Sequence, residues 1–200
     1  DVYKRQQQAH WLLHGAHDWA RLLLREDARS GQTDHLAEPW ATPLKEARLA
    51  RFLAASANGV LNAPEGVAED AFLSGQIFDL QARLNITNLV QAGKINPDVY
   101  KSFARLYEAL GLPESELAAW TQVLRLASDS SEKTNKAWMP QRINQLGWLG
   151  VPFSSLRRLN AHITVLPIST AVNLNTASPE VLFAVVDGLS LTTAHQWVQE

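Results

Sequence analysis

Three histidines near the start of the chain have a spacing that could hold a metal ion. His10, His14 and His17 are four and three residues apart, so a helix would place them on one face, as a zinc site requires. Arg21 falls on the same face and its fixed charge repels a cation, while Asp18 lies to one side. We therefore interpret the histidines as residues that flank an apolar stripe rather than as zinc ligands.

A polar loop offers a second place for a metal ion. The stretch SDSSEKTN at 128–135 contains Asp129 and Glu132, whose carboxylates are hard oxygen ligands of the kind that calcium prefers. Two carboxylates are also typical of an ordinary solvated loop. The composition of this stretch leaves both interpretations open.

Motifs for covalent or phosphate chemistry are absent from the sequence. The chain has no Gly-x-Ser-x-Gly, no Gly-rich phosphate loop and no His-Glu-x-x-His. It also has no cysteine, which excludes disulfides, thiolate zinc sites and a cysteine nucleophile. The net charge of −2 gives no overall attraction to nucleic acid or to an anionic membrane. The residues therefore give no support for an enzyme.

The elements that would position these side chains change in type along the chain. Apolar residues at helical spacing predict one long helix over residues 2–26, with one broad packed face that includes Leu13 and Leu24. Residues 30–70 are predicted to be mainly loop, with a short helix from Lys45 to Ser56. Clean alternation over GQIFDLQARLNI at 75–86 predicts a half-buried strand with Phe78 and Leu80 on its buried face, and HITVLPI at 162–168 predicts a second, shorter one. Most of the seven tryptophans are expected in the core.

Three segments share a pattern that predicts helical hairpins. Each contains a glycine, at Gly111, Gly150 or Gly188, followed by an apolar residue and then by proline or serine. We expect the glycine to end one helix in the left-handed conformation and the proline or serine to open the next. We also expect the residues six and nine positions after each glycine to face one core. These residues are Leu117, Trp120, Leu156, Leu159, Ala194 and Trp197.

The hairpins resemble helix-hairpin-helix modules, which raises nucleic-acid binding as an alternative function. DNA-binding hairpins read Gly-apolar-Gly, and their backbone N–H groups hold a phosphate. Here Pro113, Pro152 or Ser190 replaces the second glycine, and proline has no N–H to donate. We favour hairpins that pack together or contact protein, and keep a nucleic-acid-binding module as the alternative.

Four segments, in order along the chain, carry a resemblance to a known family. They are DHLAEPWATPL at 34–44, GQIFDLQARLNITNLV at 75–90, ITVLP at 163–167 and VNLNTASPEVL at 172–182. Together they resemble the minor pseudopilin K of type II secretion systems, also called general secretion pathway protein K. The most specific parts are the Asn-x-x-Asn-Leu-Val and Val-Asn-Leu-Asn-Thr-Ala runs.

The resemblance implies an α+β, pilin-like fold, in which a long N-terminal helix packs on an antiparallel sheet. A large helical domain is inserted in that fold and would contain helix-hairpin-helix-like repeats at about 97–120, 141–160 and 178–198. We expect residues 1–86 to form the pilin-like part, with the long helix, a loop and the first strands. Residues 87–200 would form the helical domain. The resemblance also implies a membrane helix before Asp1 and final sheet strands after Glu200.

The resemblance further implies a protein that is not an enzyme. A member of the family forms the tip of the periplasmic pseudopilus with the minor pseudopilins I and J, at the periplasmic face of the inner membrane. There it supports the export of folded exoproteins, which are themselves candidate partners. We expect the partner helices to contact a surface off the centre of the apolar stripe. The candidate residues are Trp11, Leu12, Trp19 and Leu22.

Calcium is the one cofactor that the resemblance implies. Family members bind it near an acidic stretch that follows the first helical repeat, which makes Asp129 and Glu132 the candidate ligands here. This sequence departs from the family pattern at Ala127, where an aspartate is expected.

Overall fold

Residues 2–31, 33–48, 72–129 and 139–199 are described by a computed structural model, and they belong to two units. The first unit spans Asp1–Phe78 and the second spans Asp79–Glu200. This division lies before the predicted one at 86/87. The reason is that the segment 79–86 forms its strand pairing and side-chain hydrogen bonds with residues 160–176 of the second unit.

The first unit is built on one helix of 29 residues, α1 (Val2–Ser30). At ~1.5 Å per residue its length is about 43 Å. It ends where the backbone N–H of Gly31 donates to the carbonyl oxygen of Asp27 at 2.8 Å. The predicted long helix is confirmed, and it continues past residue 26. In the described part of the chain, no helix combines the length and the hydropathy that a membrane span needs.

The packed side of α1 is narrower than the broad apolar face that the sequence predicts. Its half-buried residues are Leu12, Ala16, Trp19, Ala20, Leu23 and Asp27. Leu13 and Leu24, which were expected on the packed face, are 61% and 40% exposed. In the described part of this unit, α1 packs against the short 3-10 helix Pro39–Ala41, whose Trp40 is buried. Within the described residues, this short element covers only a narrow stripe of α1.

Two strands complete the described part of the first unit. β1 (Leu44–Arg48) and β2 (Phe72–Gly75) pair antiparallel, with Leu44 opposite Gly75 and Arg48 opposite Phe72. The prediction of a helix from Lys45 is therefore wrong over β1, because pairing with a distant segment overrides local helix propensity. The rest of that predicted helix, after Arg48, lies outside the described residues.

The single strand predicted over residues 75–86 is wrong, since shorter elements replace it. β2 ends at Gly75, a 3-10 helix covers Leu80–Ala82, and β3 is limited to Leu84–Asn85. The side chain of Asp79 accepts a hydrogen bond from the backbone N–H of Gln81 at 2.7 Å, which favours a turn over an extended chain. Phe78 and Leu80, expected on the buried face of a strand, are 62% and 45% exposed.

The second unit consists mainly of short helices around two clusters of buried apolar residues. Its helices are α2 (Pro97–Ala109), α3 (Glu114–Ser128), the 3-10 helices Ile86–Asn88 and Ile143–Leu149, α4 (Phe153–Leu159), α5 (Pro179–Val185) and α6 (Leu191–Gln199). Its remaining strands are β4 (Val90–Gln91), β5 (Lys94–Ile95) and β6 (Ile163–Thr164). β6 pairs with β3 in parallel, so the second predicted strand is confirmed at 163–164. The α+β class is confirmed.

Large apolar side chains from α2, α3, α4 and the 3-10 helix Ile143–Leu149 fill the main core of the second unit, while side chains of α5 and α6 form a second, smaller cluster. Phe103 of α2 and Trp120 of α3 lie edge to face, with ring centroids 6.1 Å apart. Trp120 and Trp40 are buried, but Trp11, Trp148 and Trp197 are 74%, 64% and 53% exposed. The expectation that most tryptophans are core residues is therefore wrong for these three.

Candidate functional site

The outer side of α1 carries two large apolar residues that the first unit leaves exposed. Trp11 is 74% exposed and Leu22 is 62% exposed. Eleven residues make close to three helical turns, so the two side chains share one face and are about 16 Å apart along the helix axis. Leu12 and Trp19 are half-buried and lie toward one edge of the packed stripe. The structure thus brings Trp11 and Leu22 together as one surface.

An acidic group lies near the end of α1, and the sequence analysis missed it. Asp27, Asp34 and Glu38 each place a carboxylate oxygen within 4.8 Å of the others. Desolvation, followed by the charges of Glu38 and Asp34, raises the pKa of Asp27. Glu38 already accepts hydrogen bonds from the backbone N–H of His35 and from Nε1 of Trp40, both at 2.8 Å. The three residues are spaced too irregularly in the sequence to form a recognisable motif.

Asp129, one of the two predicted calcium ligands, is half-buried immediately after α3. It packs against the tight turn at Gly93, where φ is +72° and a Cβ would come within 3.3 Å of the aspartate side chain. The adjacent Ser128 accepts a hydrogen bond from the backbone N–H of Gly93 at 3.1 Å. Glu132 lies outside the described residues. One carboxylate falls short of the six to eight oxygen ligands that calcium takes, and within the described ranges Asp129 joins no group of three candidate ligands.

The three glycine turns have the backbone conformation that the sequence predicts. φ is +60° at Gly111, +91° at Gly150 and +78° at Gly188, which is the left-handed region that favours glycine. At the first turn the backbone N–H of Leu112 donates to the carbonyl oxygen of Tyr107 at 2.8 Å. Such a bond, from three residues after the helix end back into its last turn, is characteristic of a Schellman cap.

The residues after each turn pack largely as expected. Leu117, Trp120, Leu159 and Ala194 are buried, and Leu156 is half-buried. Trp197 is the exception at 53% exposed, so its predicted core position is wrong. Trp197 lies in the last turn of α6. The pattern placed both Ala194 and Trp197 in one core, but the small Ala194 alone packs against α5.

A hydrogen-bonded chain of side chains joins the first hairpin to the second. Trp120 Nε1 donates to the hydroxyl of Tyr107 at 2.8 Å, and that hydroxyl donates to Glu116 Oε1 at 3.3 Å. The other oxygen of Glu116 accepts from Ser155 of α4 at 2.9 Å. Burial raises the pKa of Tyr107 strongly, so the phenol stays neutral and keeps its proton for donation. The hairpins are thereby fixed against each other by polar as well as apolar contacts.

The Asn-x-x-Asn-Leu-Val run binds residues 166–170, which lie shortly before the Val-Asn-Leu-Asn-Thr-Ala run. Asn85 is 2% exposed, and its Nδ2 donates to the carbonyl oxygen of Ile168 at 2.8 Å and to the hydroxyl of Thr170 at 3.1 Å. Its Oδ1 accepts from the backbone N–H groups of Thr87 and Leu166, both at 3.1 Å. Because one amide supplies two donors and two acceptor lone pairs, Asn85 satisfies backbone groups of both segments.

Asn88 and Asp79, on either side of Asn85 in the sequence, also bind the segment 165–176. We call Asp79, Asn85 and Asn88, with the groups that they bind in this segment, the clamp. Asn88 exchanges two hydrogen bonds with the backbone of Thr170, at 2.6 and 3.1 Å. Asp79 Oδ2 accepts from Asn173 Nδ2 at 3.0 Å and from the hydroxyl of Thr176 at 2.6 Å. These residues hold the segment 165–176 in place immediately before α5 begins. The polar runs that the sequence analysis singled out therefore position the third hairpin.

Comparisons with known proteins agree with this picture. The family model for type II secretion system protein K matches residues 172–200, which begin in the clamped segment and run through the third hairpin. A curated relative, type II secretion system protein K of Pseudomonas aeruginosa, is 26% identical over 86% of the chain. The chain is similar to type II secretion system protein K over most of its own length. It spans 54% of that relative's length.

A solved structure shows that the shared features form a shared fold. The structure of the GspK-GspI-GspJ complex from enterotoxigenic Escherichia coli contains a chain that superposes with a TM-score of 0.62 at 15% identity. The match covers 92% of this chain and 67% of that one. The resemblance drawn from four sequence segments is thus confirmed, and the fold of the protein K relative extends over nearly the whole chain.

Proposed function

We propose that this chain is part of a non-enzymatic minor pseudopilin that forms the tip of the periplasmic pseudopilus of a type II secretion system. In that role it would support the export of folded exoproteins. The observation that carries the proposal is the fold shared with a solved protein K that is held in a complex with GspI and GspJ. We infer that the minor pseudopilins I and J are the partners of this chain too.

The finer architecture belongs to the same proposal. We infer a pilin-like part built on α1 and a helical domain made of helix-hairpin-helix-like repeats at the three glycine turns. The left-handed glycines and the short helices that follow them support the repeat interpretation. Such a protein would work at the periplasmic face of the inner membrane, with a single N-terminal membrane helix as its anchor.

The surface of Trp11 and Leu22 is our proposed partner contact. Exposed tryptophan and leucine on one helix face offer the apolar area that a partner helix would cover, and tryptophan is enriched among residues that dominate interface energies. Pilin-type helices packed side by side would use this face while the half-buried stripe stays within the first unit.

A matched pair of charge substitutions tests the contact. Trp11→Glu should weaken binding to the I and J pseudopilins by at least ~100-fold, because it removes a buried anchor and places a charge in the interface. Leu13→Glu is the control, since Leu13 is 61% exposed but lies about 200° around the helix from Trp11. Surface plasmon resonance with immobilised partners measures both variants. Equal binding by Trp11→Glu and wild type, or equal loss in both variants, would contradict the assignment.

Calcium binding at Asp129 and Glu132 is a second part of the proposal. The half-buried carboxylate of Asp129 follows the first hairpin, which is where the family resemblance implies the ion. Isothermal titration with CaCl₂ should give heat in the wild type and none in Asp129→Asn. Identical titrations of the two proteins would rule out Asp129 as a ligand.

The nucleic-acid alternative has no support from the comparisons. At the middle hairpin Pro152 stands where a DNA-binding hairpin would donate a backbone N–H to phosphate. Retention of duplex DNA in a gel-shift assay at ~50 mM salt would revive this alternative, since non-specific electrostatic binding is strongest at low salt.

A further inference from the structure

Two exposed histidines on α1 face each other across one helical turn. Nε2 of His10 and Nε2 of His14 are 3.0 Å apart, and the ring centroids are 4.4 Å apart with the rings at 80°. This arrangement differs from the sequence expectation, which grouped His10 and His14 with His17. The structure singles out one close pair within the three.

The nitrogen-to-nitrogen distance fits two ligands of one metal ion. Bonds of about 2.0–2.1 Å from each Nε2 to a shared ion would subtend about 94° at the ion for this separation. Octahedral and square-planar ions require about 90° between neighbouring ligands, so Ni²⁺ and Cu²⁺ suit the pair as it stands. A tetrahedral ion needs a separation of about 3.3 Å, which exposed side chains reach by a small rotation.

The charges near the pair also permit a cation. Arg21, the residue that argued against a metal at the three-histidine face, is seven residues from His14, or about 10.5 Å along the helix. That distance is close to the screening length at physiological salt, so its repulsion is weak. Asp18 is one helical turn from His14, so its negative charge lies nearer to the pair along the helix than the positive charge of Arg21.

We propose that His10 and His14 form a bidentate site for a divalent first-row transition-metal ion. Cu²⁺ binds most tightly and Ni²⁺ and Zn²⁺ bind more weakly, following the general order for nitrogen ligands. Both imidazoles ligate in their neutral form through Nε2. The protein supplies two ligands, and water fills the remaining positions. Bound metal also links two turns of α1 and stabilises that part of the helix.

Metal titration of the untagged 200-residue chain tests the site. NiCl₂ and CuCl₂ titrated by calorimetry in a non-coordinating buffer should show one site in the wild type. His10→Gln and His14→Gln should each weaken that site at least tenfold, because each leaves a single ligand. His17→Gln and His195→Gln are the controls and should stay within twofold of the wild type.

A spectroscopic measurement separates ligation from an indirect effect on the helix. The electron paramagnetic resonance spectrum of the one-to-one Cu²⁺ complex should show two equatorial nitrogen ligands in the wild type and one in His10→Gln. The proposal is overturned if the wild type shows no saturable site, if His17→Gln weakens binding as much as His10→Gln, or if the Cu²⁺ spectrum is the same in both proteins. In each of those cases the 3.0 Å contact is a hydrogen bond between the two rings and nothing more.

Discussion

Substitution of Asn85 by alanine should damage the fold more than any other single polar truncation in the clamp. The side chain is buried and makes four hydrogen bonds, at 2.8, 3.1, 3.1 and 3.1 Å, to groups on its own segment and on residues 166–170. Alanine removes all four at once and leaves two backbone N–H groups and a carbonyl oxygen to find new partners.

The magnitude follows from the number of bonds and from the exposure of the groups left behind. A net contribution of about 0.5–1.5 kcal/mol per bond gives about 2–6 kcal/mol for four bonds. Ile168 is 68% exposed, so water can replace the asparagine at its carbonyl oxygen and the loss falls in the lower half of that range. We expect a decrease of about 3 kcal/mol in the free energy of unfolding.

Urea unfolding followed by far-ultraviolet circular dichroism measures the change, with two matched asparagine variants for comparison. Asn88→Ala removes two bonds at a half-buried position and should lower the free energy of unfolding by about 1–2 kcal/mol. Asn144→Ala, at an exposed position in a 3-10 helix, should change it by less than about 0.5 kcal/mol. If Asn85→Ala had the same free energy of unfolding as Asn144→Ala, the hydrogen bonds of Asn85 would not stabilise the fold as we infer.

Two further predictions concern the second hairpin and the start of the third. Gly150→Ala should destabilise the chain by about 1–2 kcal/mol, because φ at Gly150 is +91°. Gly147→Ala should be neutral or stabilising, because Gly147 has no positive φ and open space where a Cβ would be. Equal changes in the thermal unfolding midpoint of the two variants would contradict this prediction. The ring of His162 lies 3.1 Å from the Ser178 hydroxyl and 3.8 Å from the Glu180 carboxylate, and burial lowers its pKa. Since the pKa in the unfolded chain is about 6.5, the neutral ring's contribution to folding stability is fully present above that pH and is lost as the pH falls below it. Unfolding free energies at pH 7.5 and 5.5 should therefore fall more in the wild type than in His162→Gln, and equal slopes would exclude His162 as the cause.

Local signals in the sequence were sufficient for the three glycine turns, whereas the helix predicted from Lys45 was wrong over β1. The start of α2 also follows a local preference, because Asn96 caps the helix by accepting from the backbone N–H groups of Asp98 and Val99. The three glycines predict the three left-handed turns for the same reason, since both features depend on the conformational preferences of neighbouring residues.

Features that depend on distant partners were not predictable in the same way. The alternation over 75–86 has the period of a strand, but Asp79 stabilises a turn locally through Gln81 and is itself held by Asn173 and Thr176, which are distant in sequence. On α1, periodicity marks an apolar face but does not reveal how much of it another element covers. Leu13 and Leu24 were therefore expected to be packed and are exposed, while Trp19 was expected at a partner interface and is half-buried.

In the candidate site, too, features within one helix were predictable and features that depend on distant residues were not. That Trp11 and Leu22 share one exposed face could be predicted from helical spacing, because their positions around the helix are fixed by geometry within one element. The acidic group of Asp27, Asp34 and Glu38 was missed because the loop after α1 brings its members together. The pairing of His10 with His14 apart from His17 depends on side-chain conformations that spacing does not specify.

Size-exclusion chromatography of the chain with the minor pseudopilins I and J from the same organism tests the central claim most directly. A pseudopilus-tip protein should elute with both partners in one peak that contains all three proteins and precedes each of them alone. Trp11→Glu should return the chain to its own elution volume, and Leu13→Glu should remain in the complex. Separate elution of the wild-type chain and the two pseudopilins at micromolar concentrations would contradict the account.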